Sequence, residues 1–308
     1  MSQPTADVDV LIVGAGPAGL TAATYLGRFR RNVLVADGGQ PRAGWIPVSH
    51  NMPGFPAGIT GDAILARMRE QTLEYGAAVE AGRVEVLTQA DGLFHATLNG
   101  RTVTARAVLM ATGVVDNHPD LPGVEQAIER ALVRICPICD GFEASDQRIA
   151  VIGDSDMGVR EAAFLRGYSD RVTLIHTGAP DALTERAALE RLGIALVETA
   201  IENVRLEGDR VTALCWNGQY SAFDTVYSAL GTVANAELLS AVGARLCAED
   251  GRVETDLHQR TSIPGLYAAG DVVRGLNQIA VATAEAAVAA TDIHNALRRA
   301  EGRTVQAV

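Results

Sequence analysis

Four cysteines in 308 residues are too few for a small secreted scaffold built on disulfides. Positive charge is also scarce. The chain has 26 Lys and Arg against 37 Asp and Glu, a net charge of -11, with no Lys/Arg cluster that would provide a basic face, and this argues against a nucleic-acid binder. No apolar run is long enough to cross a bilayer, and the most apolar late stretch, Ile279 to Ala290, is interrupted by Glu285. Met1 to Val8 lacks a basic segment leading into an apolar core, so no export signal is expected and the cytoplasm is the expected location. What the chain does contain is 48% hydrophobic residues and 31 glycines. That is enough apolar surface for a folded core, which excludes general disorder, and the length suggests about two domains.

The glycines are placed in a pattern. An apolar strand from Asp9 to Val13 runs straight into Gly14-Ala15-Gly16-Pro17-Ala18-Gly19. A helical pattern follows with Ala22, Leu26 and Phe29 on one face, then a second strand from Asn32 to Ala36 that ends at Asp37. This is the dinucleotide fingerprint in its full setting of strand, glycine turn, helix, strand and acid. Gly14 makes the tight turn, Gly16 lets a pyrophosphate approach the backbone, and Gly19 allows helix and strand to pack closely. Pro17 opens the helix, and the free N–H groups from Ala18 onward would face the phosphates. Asp37 can accept hydrogen bonds from ribose hydroxyls.

The pattern then recurs. A strand from Arg148 to Ile152 leads into Gly153-Asp154-Ser155-Asp156-Met157-Gly158, a helix, and a strand from Arg171 to Ile175. His176 stands as far beyond Gly158 as Asp37 stands beyond Gly19. Each copy continues into a hairpin with an Asn-Gly turn, Asn99-Gly100 and Asn217-Gly218, and returns through an apolar strand, Ala107 to Gly113 and Thr225 to Gly231. The tail carries Gly265 to Asp271, a strand running into a Gly-Asp turn, and then a long Ala-rich helix. The expected fold class is therefore α/β, with two Rossmann-like domains of three-layer ββα type, the second inserted into the first. Residues 1-113 and 246-308 are expected to form one discontinuous domain, and residues 114-245 the other.

Cys136-Pro137-Ile138-Cys139 places two thiols at the start of a helix, where N–H groups lower the pKa of a thiolate. Asp140 directly follows and can shuttle a proton to or from sulfur. A zinc knuckle would need two further ligands, but Cys215 and Cys247 are isolated and no His pair has ligand spacing. No metal is expected, and those two cysteines read as buried apolar residues.

Taken together, Gly14 to Gly19, Ala111-Thr112-Gly113, Cys136 to Phe142 and Ala269-Gly270-Asp271 resemble the low-molecular-weight thioredoxin reductases, and the likeness runs from about Val8 to Leu297. The resemblance implies FAD in the first unit and a nicotinamide-domain fold, carrying the dithiol, in the second. On that basis the first fingerprint and Asp37 would hold the ADP half of FAD, and Gly39-Gln40 would lie along the flavin. Asn51 would stand near the isoalloxazine and Val84 near the adenine. Ala111, Thr112 and Gly113 belong to the same cofactor set, and Gly270 and Asp271 would contact the pyrophosphate and ribityl chain. Gln278, Ile279 and Ala280 would open a helix aimed at the flavin N1/O2 edge, where the helix dipole favours negative charge. Cys139 would face the flavin and Cys136 the substrate. Family members are usually homodimers whose second unit swivels, and a homodimer is expected here, with less need to swivel.

The second fingerprint departs from that family. Ser155 replaces the second glycine, Asp154 adds a carboxylate beside it, and His176-Thr177-Gly178 lacks the arginines that clamp a 2′-phosphate. The first basic residue downstream is Arg186, and position 176 has no acid to read an NADH ribose. NADPH is thus not expected to be the natural donor. The main expectation is an FAD-dependent thiol–disulfide oxidoreductase fed by ferredoxin or by a second flavin in the vacated pocket, acting on a thioredoxin-like protein or a small disulfide. Two alternatives remain open. One is a dithiol oxidase that uses O2, which the segment from Ala111 to Asp116 and from Pro119 to Gly123 also resembles. The other is a non-enzymatic flavin redox sensor.

Overall fold

The computed structural model describes residues 6–119, 124–199, 201, 203–207 and 210–304. The chain divides into two compact units. One comprises Met1–Gly44, Ile59–Val115 and Val233–Val308, and the other Trp45–Gly58 and Asp116–Thr232.

In the first unit, strands Ala78–Ala81, Val33–Asp37, Val8–Val13 and Arg101–Met110 lie side by side and parallel, and Leu266–Ala268 is added beyond Arg101–Met110. The early part of Arg101–Met110 also pairs antiparallel with Leu93–Leu98, which pairs in turn with Val84–Ala90. Asn99 and Gly100 close that hairpin with φ of 50° and 73°, the left-handed pair that a two-residue turn needs. One face of the sheet is covered by the helices Pro17–Arg28 and Ile279–Ala300, which meet through Ala22, Ala23, Leu26, Ala286, Ala289 and Ile293. Small side chains on both helices let their axes come close. The opposite face packs the hairpin and the tail through Leu87, Phe94, Leu98, Leu239, Val253 and Leu266.

The second unit repeats the parallel order. Ala195–Glu198, Val172–His176, Ile149–Gly153, Thr225–Ala229 and Val133–Arg134 are neighbours in that sequence, all parallel. Asn217 and Gly218, with φ of 49° and 72°, again close an antiparallel hairpin. Val133–Arg134 therefore holds the place in this sheet that Leu266–Ala268 holds in the first. The dithiol motif leaves one of these edge strands and the Gly270-Asp271 turn leaves the other.

The unit boundaries differ from those expected. The chain rejoins the first unit at Val233 rather than at 246, because Ala236, Leu239 and Ala244 are buried in its core. Trp45–Gly58 goes with the second unit instead of the first, since Trp45 packs against the cluster of Ile128, Ile152, Ile175 and Phe223. The segments that connect the units, Val114–Asp116 and Thr232–Ala234, pair as a two-stranded ribbon. The described residues include no helix long and apolar enough to cross a membrane.

Candidate functional site

In the first unit the expected cofactor residues gather at the carboxyl ends of the parallel strands, the usual ligand edge of such sheets. Gly14 sits at φ 111°, and a Cβ there would lie 2.3 Å from the carbonyl oxygen of Ala111. A Cβ on Gly19 would lie 1.9 Å from the carbonyl oxygen of Gly14. These two glycines make the turn tight and bring the helix onto the strand. Gly16 differs, because a Cβ there would meet only the Pro41 side chain, at 3.9 Å. The space above Gly16 is open, and helix Pro17–Arg28 has no side-chain cap. Its first amides are thus presented to that space, which fits a pyrophosphate.

The neighbouring residues are tied into this edge. Thr112 Oγ1 donates to the carbonyl of Asn235 at 2.7 Å, and the Asn235 amide donates back to the Thr112 carbonyl at 2.9 Å. The Gly113 carbonyl accepts from the Asn235 backbone N–H at 3.0 Å. A Cβ on Gly270 would approach Ala18 to 3.0 Å, so the Gly-Asp turn lies directly beside the start of the first helix. Asp37 accepts from the Gly39 N–H at 3.0 Å and pairs with Arg69 at 2.5 Å. Gln40 follows with φ 45°. Val84 is buried at the start of the strand after Gly82, whose N–H donates to the Asp37 carbonyl. Gln278 is the N-cap residue of Ile279–Ala300 and its side chain does not cap that helix, while Ile279 and Ala280 form the helix's first turn.

Three charged residues at this edge escaped the sequence reading: Arg69 on Asp37, Arg42 on Asp271 at 3.2 Å, and Glu285. Glu285 accepts from the Gly270 N–H at 2.8 Å, and burial pushes its carboxyl above the usual range. The sequence signal for it was its standing as the lone charge in the apolar stretch from Ile279 to Ala290.

In the second unit Cys136 and Cys139 are joined as a disulfide with their Cα atoms 5.3 Å apart. The short helix Pro137–Asp140 begins between them, with Cys136 as its N-cap residue in extended conformation. The Asn51 side chain donates to the Ile138 carbonyl at 3.4 Å, and Ser49 donates to Asn51 at 3.0 Å. Asn51 is thereby placed in this unit, beside the dithiol helix. Ile138 and Phe142, on either side of Cys139, are exposed, Phe142 by 76%.

Asp140 has two partners that were not foreseen. The Tyr227 hydroxyl donates to its Oδ1 at 2.8 Å, and Arg134 donates to its carbonyl at 2.9 Å while lying 3.7 Å from Oδ2. Burial raises the Asp140 carboxyl above its ordinary range, and Arg134 and the Tyr227 hydroxyl oppose that rise.

The second glycine turn keeps its packing and has a different surface. Gly153 and Gly158 remain in close contact, since a Cβ on Gly153 would lie 2.8 Å from the Gly158 Cα. Ser155 now occupies the N-cap position without capping the helix. Asp156 accepts from the Thr184 and Glu185 backbone N–H groups at 2.8 and 3.0 Å. His176 is buried, and its Nε2 meets the Ala179 carbonyl at 2.8 Å. Arg186 is engaged by both carboxylate oxygens of Glu198, each at 2.6 Å. Of the oxidase-like segment from Ala111 to Gly123, residues Asp120 to Gly123 lie outside the described residues.

Residues 8–286 match the pyridine nucleotide-disulphide oxidoreductase family. The chain belongs to that family. It is 34% identical to a thioredoxin reductase of Mycolicibacterium smegmatis over 297 residues, which is 92% of this chain and 94% of the relative. Among solved structures it resembles HlmI, with a TM-score of 0.87, 32% identity, and coverage of 98% of this chain and 96% of that one. It also resembles thioredoxin reductase from Streptococcus pyogenes MGAS5005, with a TM-score of 0.86, 26% identity, and coverage of 95% and 98%. This family member is a flavin-dependent disulfide oxidoreductase of the thioredoxin-reductase-like, low-molecular-weight type, and FAD is the cofactor its family implies.

Proposed function

We propose that this enzyme exchanges electrons between FAD and the Cys136/Cys139 pair, and that NAD(P)H is not its natural electron donor. The turn Gly14 to Gly19, with Pro17 and Ala18, Asp37, Gly39, Gln40, Val84, Ala111 to Gly113, Gly270, Asp271 and Gln278 to Ala280, would hold one FAD. When bound, FAD supplies the two-electron carrier of the reaction. Cys136 attacks the substrate disulfide and Cys139 resolves the mixed disulfide by closing onto Cys136. Asp140 carries a proton to the sulfur that leaves.

The observation that carries the donor reading is the state of the second turn. The first basic residue downstream, Arg186, is already paired with Glu198, and Ser155 and Asp154 stand in the turn where a phosphate would approach. A 2′-phosphate would meet no free clamp there. Ferredoxin, or a second flavin in that cleft, is the proposed source of electrons. A thioredoxin-like disulfide protein is the proposed substrate. Two apolar side chains, Ile138 and Phe142, are exposed beside the sulfurs, and a protein surface could cover them.

Anaerobic addition of NADPH to the yellow protein should leave the flavin absorbance unchanged, whereas reduced ferredoxin should bleach it. Rapid bleaching by NADPH would overturn the donor reading. A flavin-to-protein ratio near two would assign the donor role to a second flavin. Stoichiometric peroxide from a small dithiol in air would replace the reductase reading with the oxidase.

A further inference from the structure

We propose that Tyr227 and Arg134 are positioning residues for Asp140: adjacent on neighbouring strands, they hold its carboxylate at the end of the dithiol helix so that it can carry a proton between sulfurs. This rests on the reading of Asp140 given above.

The placement follows from sheet register. Val133–Arg134 runs parallel to Thr225–Ala229, and Tyr227 is paired directly with Arg134, so the two residues share a register level and their side chains meet. The Arg134 guanidinium lies 5.9 Å from the centre of the Tyr227 ring. The chain leaves that strand at Ile135 and folds back through Cys136 to Asp140 over a single short helix. Asp140 returns to the pair from which the loop departed. It is held there at two points, its carbonyl by Arg134 and its Oδ1 by the Tyr227 hydroxyl. Tyr227 is fully buried, and its hydroxyl is directed to Asp140 and its partner Arg134.

Such a clamp does more than close a loop. The net reaction with a dithiol is R(SH)2 plus the Cys136–Cys139 disulfide, giving a cyclic disulfide of R and two cysteine thiols. One S–S bond breaks in the enzyme and one forms in R. R is oxidised, the enzyme sulfurs are reduced, and two protons move with the electron pair. The first thiol of R attacks as its thiolate, its proton going to solvent. Protonated Asp140 gives its proton to the cysteine thiolate expelled first and takes one from the second thiol of R before that thiol closes the ring, and the second cysteine thiolate is then protonated from solvent. The groups facing the Asp140 carboxyl are Arg134, Tyr227 and Glu143. Arg134 and the Tyr227 hydroxyl favour its ionised form, and Glu143 and burial oppose it. Removing either partner must therefore move its proton release to higher pH.

The test uses the purified holoenzyme, with dithiothreitol as the dithiol, under anaerobic conditions across a pH series. Quenching by alkylation counts the free Cys136 and Cys139 thiols and needs no flavin signal. Wild-type protein should be accelerated over Asp140→Asn at low pH, and the advantage should fade as pH rises through the Asp140 midpoint. In Tyr227→Phe and in Arg134→Gln that midpoint should move up by about one pH unit, and Arg134→Lys should return most of the shift. Tyr227→Phe deletes one oxygen from a buried ring, and Arg134→Gln changes a different strand, so a folding failure in one still leaves the other. A midpoint that stays put in either variant removes that residue from the role. If Asp140→Asn matches wild type at every pH, the Asp140 reading itself fails, and that outcome is distinct from a stationary midpoint.

Discussion

The two glycine turns of this chain follow one plan and carry different parts of it. At Gly14 and Gly19, and again at Gly153 and Gly158, the outer glycines bring strand and helix within backbone contact. That requirement belongs to the fold, and both units meet it. The middle position answers only to a ligand. Gly16 opens onto space beside uncapped amides, while Ser155 fills the equivalent place and Asp154 flanks it. Packing glycines can thus stand where the middle glycine does not, and a family match across 8–286 does not by itself certify both nucleotide sites. The middle glycine is the one to inspect.

The largest effect separates dithiol from cofactor. Cys139→Ser should abolish exchange with a dithiol while the protein stays yellow, because the first unit's turn is untouched. Colour and turnover lost together would show that the two units do not divide the work in this way. Next comes the middle position of each turn. Gly16→Val should lower FAD affinity on the order of a hundredfold, about 2.7 kcal/mol, as its branched side chain fills the open space. Ser155→Val should leave flavin content unchanged. Measuring bound flavin per chain after desalting checks both, and equal losses would erase the contrast between the turns.

A third comparison concerns two half-buried glutamates. Glu285 in the first unit is met by the Gly270 N–H, whereas Glu161, on the helix after the second turn, has an Oε2 without a hydrogen-bond partner. Burial, helped by the Asp116 charge, pushes Glu161 up from 4.5 to about 7. Its folded form holds a proton that the unfolded chain releases near 4.5. The associated stability is complete below that pH and is lost as pH rises through about 7, a loss of about 3 kcal/mol at most. Glu161→Gln should therefore melt higher than wild type at pH 8 and alongside it at pH 4. An equal difference at both values would mean that the carboxyl is not titrating in the folded protein.

What could be read without coordinates was local. The turn at Gly14, the Asn-Gly hairpins, and the strand-turn-helix order are each set by neighbours in the chain, and each signals through residue type. The alanines at 282, 286 and 289 read as core and are buried. What could not be read depended on pairing over long separations. Tyr227 is simply an apolar-strand residue until register sets it beside Arg134. Arg134, two positions before Cys136, was the one clue, a cation next to a redox pair. The attachment of Trp45–Gly58 to the second unit likewise depends on Trp45 meeting a core assembled from Ile128 to Phe223, and no local pattern announces it.

The smallest expected effect tests whether the second turn can be rebuilt. Ser155→Gly alone should do little for NADPH, because the space it frees is still faced by Asp154 and by a loop without a spare cation. Thr177 is exposed at the end of the strand, where a guanidinium could reach a 2′-phosphate. Gly178 cannot serve, since a Cβ there would lie 2.1 Å from the Asp154 carbonyl oxygen. Adding Thr177→Arg to Ser155→Gly should gain one charge-assisted contact, about 1.4 kcal/mol or tenfold in affinity, measurable by calorimetry. A gain confined to the double variant would show that the cleft still has the shape of a nucleotide site and lacks only its chemistry. If wild type already binds NADPH as tightly, Ser155 and Asp154 do not block it, and the middle residue loses its diagnostic value.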